Sequence, residues 1–440
     1  MHIQKVIIKN FRCFEHLEVN LDPDINIFVG NNGSGKSALL DAIAAAMYPY
    51  VTEIQRIAGK KYREASPVLQ RDLPAKKKDN ERGNQAEFTV SATGFPDWTI
   101  VYKKPPADND DERIKVSVSS SSISQEGTKQ LYSAMRYRID RYGIDEFSVL
   151  AYYKGNRHLN DIAYVKNVSH QSLNRFTSLN HALDATSSFT DMANWFFVRE
   201  FQELREAKEK GNINLELPDL KRVRNAISSI IAPNTHVYFS QIVSAKLMVE
   251  WTMETGEKRE LLLSQLSAGY RNMLALVMDF ARRLAQANPH MENPLAAEAI
   301  LMIDELDLHL HPTWQQNIIP DFKKVFPNTQ IIATTHSPEV VTTVKQNQVK
   351  ILEDYQVKLC PEPTRGRKSS DIVRNVLGLS ELRPDTEESQ KLTELFEAID
   401  NGQLEKAKRL KKELQDWESF DPDMTRADMQ IRRLERRNAV

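Results

Sequence analysis

Apolar positions along this chain repeat with two periods. Short unbroken runs, INIFV at 25–29, AILMI at 299–303 and QIIAT at 330–334, stand between polar or glycine-rich stretches and predict buried strands. FSVLAYYKGNRHL at 147–159 has strand character, and AEFTVSAT, WTIVYKK and RIKVSVS make 86–119 strand-rich, closing on a serine run, Ser119–Ser122, that reads as a loop. Other stretches carry the helical period. SALLDAIAAAM after residue 36 is an alanine-rich helix. LSAGY at 266–270 opens a long amphipathic helix with Leu274, Val277, Phe280 and Ala281 on one face. In FTDMANWFFVREFQELREAKEKGN, Met192, Trp195, Phe196 and Phe201 are expected to face the core, with Arg199, Glu200 and Glu203 in solvent. LPDLKRVRNAISSIIA reads as a helix started by its proline. Towards the end, Leu392, Leu395, Phe396 and Ile399 form one stripe and Leu404, Ala407, Leu410 and Leu414 another, joined by an Asn-Gly turn at 401–402; FDPDMTRADMQIRRLERR starts a third helix.

Between the first buried strand and the alanine-rich helix lies GNNGSGKS, residues 30–37. Gly30, Gly33 and Gly35 let the backbone curl so that the N–H groups of Asn31, Asn32, Ser34 and their neighbours point at an anion, and the helix adds its unpaired N-terminal N–H groups. Lys36 would reach β- and γ-phosphates, and the Ser37 hydroxyl would bind Mg²⁺. The pattern is G-x-x-x-x-G-K-[ST] in its strand–loop–helix context, which points to a bound nucleotide. AILMIDE supplies the matching carboxylates: Asp304 at the strand end for Mg²⁺, Glu305 to polarise the attacking water. The strand QIIAT ends at THS, placing His336 to contact the γ-phosphate.

Ser267, Ala268 and Gly269 make a second helix N-terminus suited to an anion. One subunit has no obvious use for two such helix ends; a head-to-tail pair does, each LSAGY closing on the nucleotide held by the other's GNNGSGKS.

The ordered set GNNGSGKS, LSAGY, ILMIDE, LDLHLHP and TTHSP resembles the ABC-type, AAA-family ATPase heads of RecF, SMC and OLD-like proteins, over the first fifty residues and roughly 235–345. The resemblance implies an α/β fold: a P-loop NTPase head with mixed β-sheets, a compact inserted α+β region and a C-terminal helical module. It also implies a D-loop at Asp307, ATP-driven dimerisation, and a first hairpin in IIKNFRCFEHLEV with Phe11 and Arg12 near the nucleotide. One element departs from the pattern. These heads carry a Q-loop glutamine after a strand between the phosphate loop and the signature, and 147–159 has none; Arg157 is a candidate for a role there. His309 and His311 in LDLHLHP lack a third metal ligand at workable spacing and read as turn and helix-start packing.

The 228 residues between Ser37 and Leu266 show no sustained heptads, so a compact insert is expected rather than an SMC-like arm. Within it, Lys60, Lys61, Arg63, Arg71, Lys76, Lys77 and Lys78 could meet phosphates of DNA or RNA, or form a solvated loop. The net charge of −1 gives no global attraction to nucleic acid. Two cysteines, Cys13 and Cys360, far apart in sequence, suit a reducing compartment; with no run of eighteen apolar residues, the expected location is cytoplasmic, with no membrane partner. Glu353, Asp421 and Asp423 imitate the carboxylates of a Toprim nuclease, but helical sequence lies between them and DPDMTRAD reads as a helix cap.

The expected layout is an ATPase lobe at 1–165, a helical insert at 166–235, a second lobe with signature, DE strand and His336 at 236–355, and a helical partner or oligomerisation module at 356–440. The whole most resembles the ATPase subunits of Septu and retron anti-phage systems. This implies a regulatory ATPase, self-associating head to tail, that controls an HNH-type nuclease encoded alongside. The alternative is a RecF-like DNA-repair ATPase that binds DNA without a nuclease; a transporter subunit ranks last, because such chains lack the long gap.

Overall fold

The computed structural model of the protein describes residues 1–57, 68, 72–73, 85–103, 133, 147–155, 174–232, 235–240, 246–252, 255–379, 383–417 and 420–438. The seven basic side chains between 60 and 78, the RIKVSVS run, Ser119–Ser122 and Arg157 lie outside the described residues. The chain divides into two compact units, Met1–Leu377 and Gly378–Val440.

In chain order the first unit comprises β1 (Ile3–Phe11), β2 (Phe14–Asn20), β3 (Ile25–Val29), α1 (Lys36–Ile57), β4 (Gln85–Ala92), β5 (Trp98–Lys103) and β6 (Val149–Tyr153). Then come α2 (Phe189–Lys210), α3 (Pro218–Ile230), β7 (Thr235–Phe239), β8 (Leu247–Thr252), β9 (Lys258–Leu262), α4 (Ala268–Ala287) and β10 (Ala299–Ile303). It closes with α5 (Pro312–Val325), β11 (Thr329–Thr334), α6 (Pro338–Val341), β12 (Val349–Glu353), β13 (Gln356–Leu359) and α7 (Ser369–Asn375).

The continuous apolar runs form the central sheet, ordered β13-β12-β3-β11-β10-β6, in which every strand but the antiparallel edge β13 is parallel. All five residues of β3, β6 and β10 and all six of β11 are buried, as strands covered on both faces must be. A parallel sheet gathers the carboxyl ends of its strands along one edge, where ligands bind in open α/β folds. The phosphate-loop sequence, the DE pair, the THS segment and Lys154–Gly155 therefore all emerge on that edge. The expected first hairpin is formed, with β1 and β2 antiparallel. Strands β4 and β5 extend it into a second sheet, β2-β1-β4-β5, so this part of the long interval completes the N-terminal sheet.

Helix α1 joins the two sheets. Pro49 has no N–H for the Ala45 carbonyl one turn back; the Tyr102 hydroxyl donates to that oxygen at 2.8 Å, and Trp98 Nε1 donates to Ala46 O at 2.9 Å. The helix keeps its proline because β5 supplies the missing donor. A third antiparallel sheet, β7-β8-β9, lies beside α3.

Helix α2 corrects one expectation. Met192, Trp195 and Phe196 are buried, but Phe201 is 48% exposed and Glu203 is buried. Phe201 lies five residues past Phe196, about 140° round the helix, whereas Arg199 and Glu203 continue the inward face. That face meets α3 through ions: Glu203 and Glu200 bind Arg224, and Arg199 binds Asp219.

The second unit contains α8 (Glu387–Asp400), α9 (Leu404–Glu413) and α10 (Pro422–Asn438). Leu392, Leu395, Ile399, Ala407, Leu410, Leu414, Met424, Ala427 and Ile431 form its separate core, and Asn401–Gly402 makes the turn read from the sequence.

Candidate functional site

The phosphate-loop sequence leaves β3 at Val29 and enters α1 at Lys36. Asn31, Asn32 and Gly33 are exposed at its crest. The β1–β2 turn packs beneath it: Cys13 Sγ and the Phe14 ring come within 3.0 Å of where a Cβ on Gly35 would stand, and Gly35 has φ +100°. Lys36 is buried and folds back over the loop, its Nζ donating to Gly30 O at 2.8 Å and Asn31 O at 3.0 Å. Burial lowers its pKa, against the pull of Asp304, Glu305 and Asp307. Ser34 Oγ is buried with no hydrogen-bond partner among the described residues.

Asp304 and Glu305 follow β10. Their pairing with neighbouring strands fixes them: Asp304 N donates to Tyr153 O at 2.9 Å, and Leu306 N donates to Thr334 O at 2.9 Å. One hydroxyl serves both carboxylate residues. Thr334 Oγ1 donates to Asp304 Oδ1 at 2.6 Å and accepts from Glu305 N at 2.7 Å. Glu305 sits at φ +51°, a conformation costly for a residue with a side chain, which that hydrogen bond helps to hold.

A cavity of about 470 Å³ brings together Ser37 and Asp41 from α1, Tyr152, Lys154 and Gly155 from the end of β6, and Asp304 and Glu305. Leu308 and His309 close it. Gly155 is placed by close approach: a Cβ there would lie 3.2 Å from the Glu305 carboxylate.

Arg12 reaches this cavity only at second hand. Its guanidinium binds Asp41 at 2.6 Å and Asp72 at 2.9 Å, and Asp41 also accepts from the Tyr152 hydroxyl at 3.0 Å. Burial works against the Arg12 charge, but the two carboxylates outweigh it and raise its pKa. Burial, then Asp41, push the Tyr152 phenol well above its usual range. Asp307 turns towards the end of β11, accepting from Thr335 Oγ1 at 2.5 Å and His336 N at 3.2 Å, while His336 is exposed.

The signature residues stand apart from that lining. Ser267 is the exposed N-cap of α4, its hydroxyl accepting from Tyr270 N at 3.4 Å. Ala268 opens the helix, and Gly269 is buried against the His309 carbonyl. Tyr270 packs on Trp314, ring centroids 4.3 Å apart.

The donor set suits Mg²⁺. That ion takes one or two carboxylates together with substrate phosphates and water, and Ser37, Asp41 and Asp304 offer hard oxygens in one cleft. Among the described residues no group of three or more His, Cys, Asp or Glu could hold a metal by itself. His311 caps α5, its Nδ1 accepting from Thr313 N at 3.3 Å. Glu353 pairs with Lys358, while Asp421 and Asp423 share Arg383 and Asp421 accepts from Asp423 N at the start of α10. Among the described residues no helix is long and apolar enough to cross a membrane.

Asp41, Tyr152, Lys154, Gly155, Thr334 and the lining role of His309 are not read from the motifs. Asp41 had a signal, since it lies one helical turn after Ser37. The others depend on which strands become neighbours.

The family described as "AAA domain, putative AbiEii toxin, Type IV TA system" matches residues 25–342. The chain is 26% identical to "Retron Vc95 probable ATPase" of Vibrio cholerae, over 85% of this chain and 78% of that protein. It is 27% identical to "Septu protein PtuA" of Bacillus thuringiensis, over 50% of this chain and 55% of that one. Among solved structures, an Smc head domain of Pyrococcus furiosus with an extended coiled coil aligns at a TM-score of 0.42 and 15% identity, covering 85% of this chain and 99% of that one.

Proposed function

The chain belongs to this AAA-domain family and is an ATPase, and on that premise we propose that it is an ATP-gated switch that pairs head to tail and controls a partner nuclease of the HNH type in anti-phage defence. The observation that carries the reading is the convergence of Ser37, Asp304 and Glu305, from distant parts of the sequence, on one cavity.

Lys36 would exchange its two loop carbonyls for β- and γ-phosphate oxygens, and the N–H groups of the loop and first turn of α1 would take the remaining charge. Ser34 Oγ, buried without a partner, adds a donor to that loop. Glu305 would accept the proton of the water attacking the γ-phosphate, and Thr334 holds its backbone in place for that task. Ser37 and Asp304 would hold Mg²⁺, which when bound offsets phosphate charge. His336, exposed beside the cleft, would meet the γ-phosphate, and Asp307 would steady His336 through its backbone N–H. Ser267, Ala268 and Gly269 would complete the pocket of a second copy, since they do not line the cavity of their own chain. Similarity to a retron probable ATPase and to Septu protein PtuA supports the defence role, and the nuclease partner is the proposal's own addition to it.

The test uses two variants. Lys36→Ala should abolish ATP binding. Glu305→Gln should keep binding and accumulate a nucleotide-loaded dimer in analytical ultracentrifugation; unchanged oligomer size and nucleotide occupancy would remove the gating claim. If the ATP-loaded chain alone binds duplex DNA tightly with steep salt dependence, the DNA-repair reading takes its place.

A further inference from the structure

Lys154 lies in the stretch 147–159, where the resemblance implies a metal-binding glutamine and the sequence has none, and its chemistry is different. It is the first residue beyond β6, beside Asp304, whose N–H bonds the carbonyl of Tyr153 at 2.9 Å. It lines the cavity that holds Ser37, Asp304 and Glu305. An ammonium has three donors and no acceptor, so it cannot bind a cation as an amide oxygen does; it can bind phosphate. Its Nζ lies 3.2 Å from Asp184, and 5.9 Å from the Tyr152 ring centroid. Asp184 has φ −152° and ψ 67° in the otherwise helical turn Ala182–Ser188, which runs directly into α2.

We propose that Lys154 is a ligand of the third phosphate that exchanges Asp184 for the nucleotide, so that the site favours triphosphate over diphosphate. This rests on the ATP-binding reading above. The side chains of the Lys154–Asp184 pair are 37% and 46% exposed, and ion pairs open to water are weak and screened. A triphosphate in the cleft brings more negative charge at closer range and wins the lysine. Asp184 is then left without this cation, while the turn that carries it stays packed on β6 beside buried Ala182, Leu183 and Ala185. Lysine suits such an exchange, because its flexible stem swings between two anions without backbone movement.

The experiment measures equilibrium binding of a non-hydrolysable ATP analogue and of ADP to the full chain. It compares the wild type, Lys154→Met, Asp184→Asn and the double variant, with circular dichroism to check folding and Lys154→Gln as the second test of the lysine. Lys154→Met and Lys154→Gln should each reduce the preference for triphosphate over diphosphate by about tenfold, as expected for loss of a charged hydrogen bond. Asp184→Asn should tighten triphosphate binding several-fold, leave ADP unchanged, and have no effect when Lys154 is already Met. Equal changes for both nucleotides, or an Asp184→Asn effect that persists without the lysine, would overturn the exchange. ADP binding that is abolished by Lys36→Ala tests the nucleotide site independently, so failure of the exchange and failure of the site are separable.

Discussion

Gly269 and the carbonyl oxygen of His309 lie so close that a Cβ on residue 269 would stand 2.2 Å from that oxygen. His309 also lines the cavity beside Glu305, so the start of α4 rests on the wall of that cavity. Backbone meets backbone there, and no side chain can move aside. Gly269→Ala is therefore expected to cost about 1–3 kcal/mol, the range for forced overpacking, and to slow ATP turnover by shifting residues 308–309. Thermal denaturation and steady-state phosphate release measure the two effects; a variant with wild-type stability and rate would show that the contact constrains nothing.

Thr334 is the second position where one atom decides the site. Its hydroxyl is donor to Asp304 and acceptor for Glu305 N. Thr334→Val keeps the shape and removes both bonds, at a cost of about 1–3 kcal/mol. Turnover should fall more than nucleotide affinity, because Glu305 loses its positioning, and Thr334→Ser should restore most of it. Equal rates for the valine and serine variants would refute the assignment.

Behind the cleft, Asp279 of α4 is fully buried and bound to Arg282, Arg283 and the Tyr153 hydroxyl. Burial alone would raise its pKa, but the two guanidinium groups overcome this and lower it. Arg283 also donates to Ser178 O and Asn180 O, tying α4 to the layer that precedes α2. Asp279→Ala strands two buried cations and should cost about 3–5 kcal/mol in urea unfolding, far more than Arg205→Ala on the exposed face of α2.

Lys350 offers a pH test. It is 4% exposed in β12 and donates to Asn26 Oδ1 at 2.8 Å, and burial lowers its pKa to about 8, partly opposed by Asp22. Between pH 8 and the unfolded value near 10.5 the unfolded chain holds the extra proton, so this group's contribution to stability rises with pH across that window. Below pH 8 the folded state bears the cost of a buried charge, up to about 3 kcal/mol. Lys350→Met has no titrating group there, so its stability relative to wild type should fall as pH rises from 7.5 to 10. A constant difference would show that the lysine does not titrate in this range.

Much of the site is legible in the residues because its chemistry is local. GNNGSGKS is loop and helix start together, and the run AILMI fixes where the carboxylates of Asp304 and Glu305 emerge. At Phe201 hydrophobicity alone points the wrong way, because helical phase and an ionic contact with α3 decide which face of α2 turns inward.

The sequence by itself determined the strand–loop–helix at 25–47, the acidic end of β10, the helix α4 and the hairpin of α8 and α9, since each depends on residues within a few positions of one another. The amphipathic reading of α4 is corrected, because its polar face, with Asp279, Arg282 and Arg283, is buried as well. Tertiary structure alone decided that β6 lies next to β10, that Thr334 spans Asp304 and Glu305, and that Lys154 and Gly155 enter the cleft. Strand order is set by which buried faces pack best over hundreds of residues, and no local pattern encodes it.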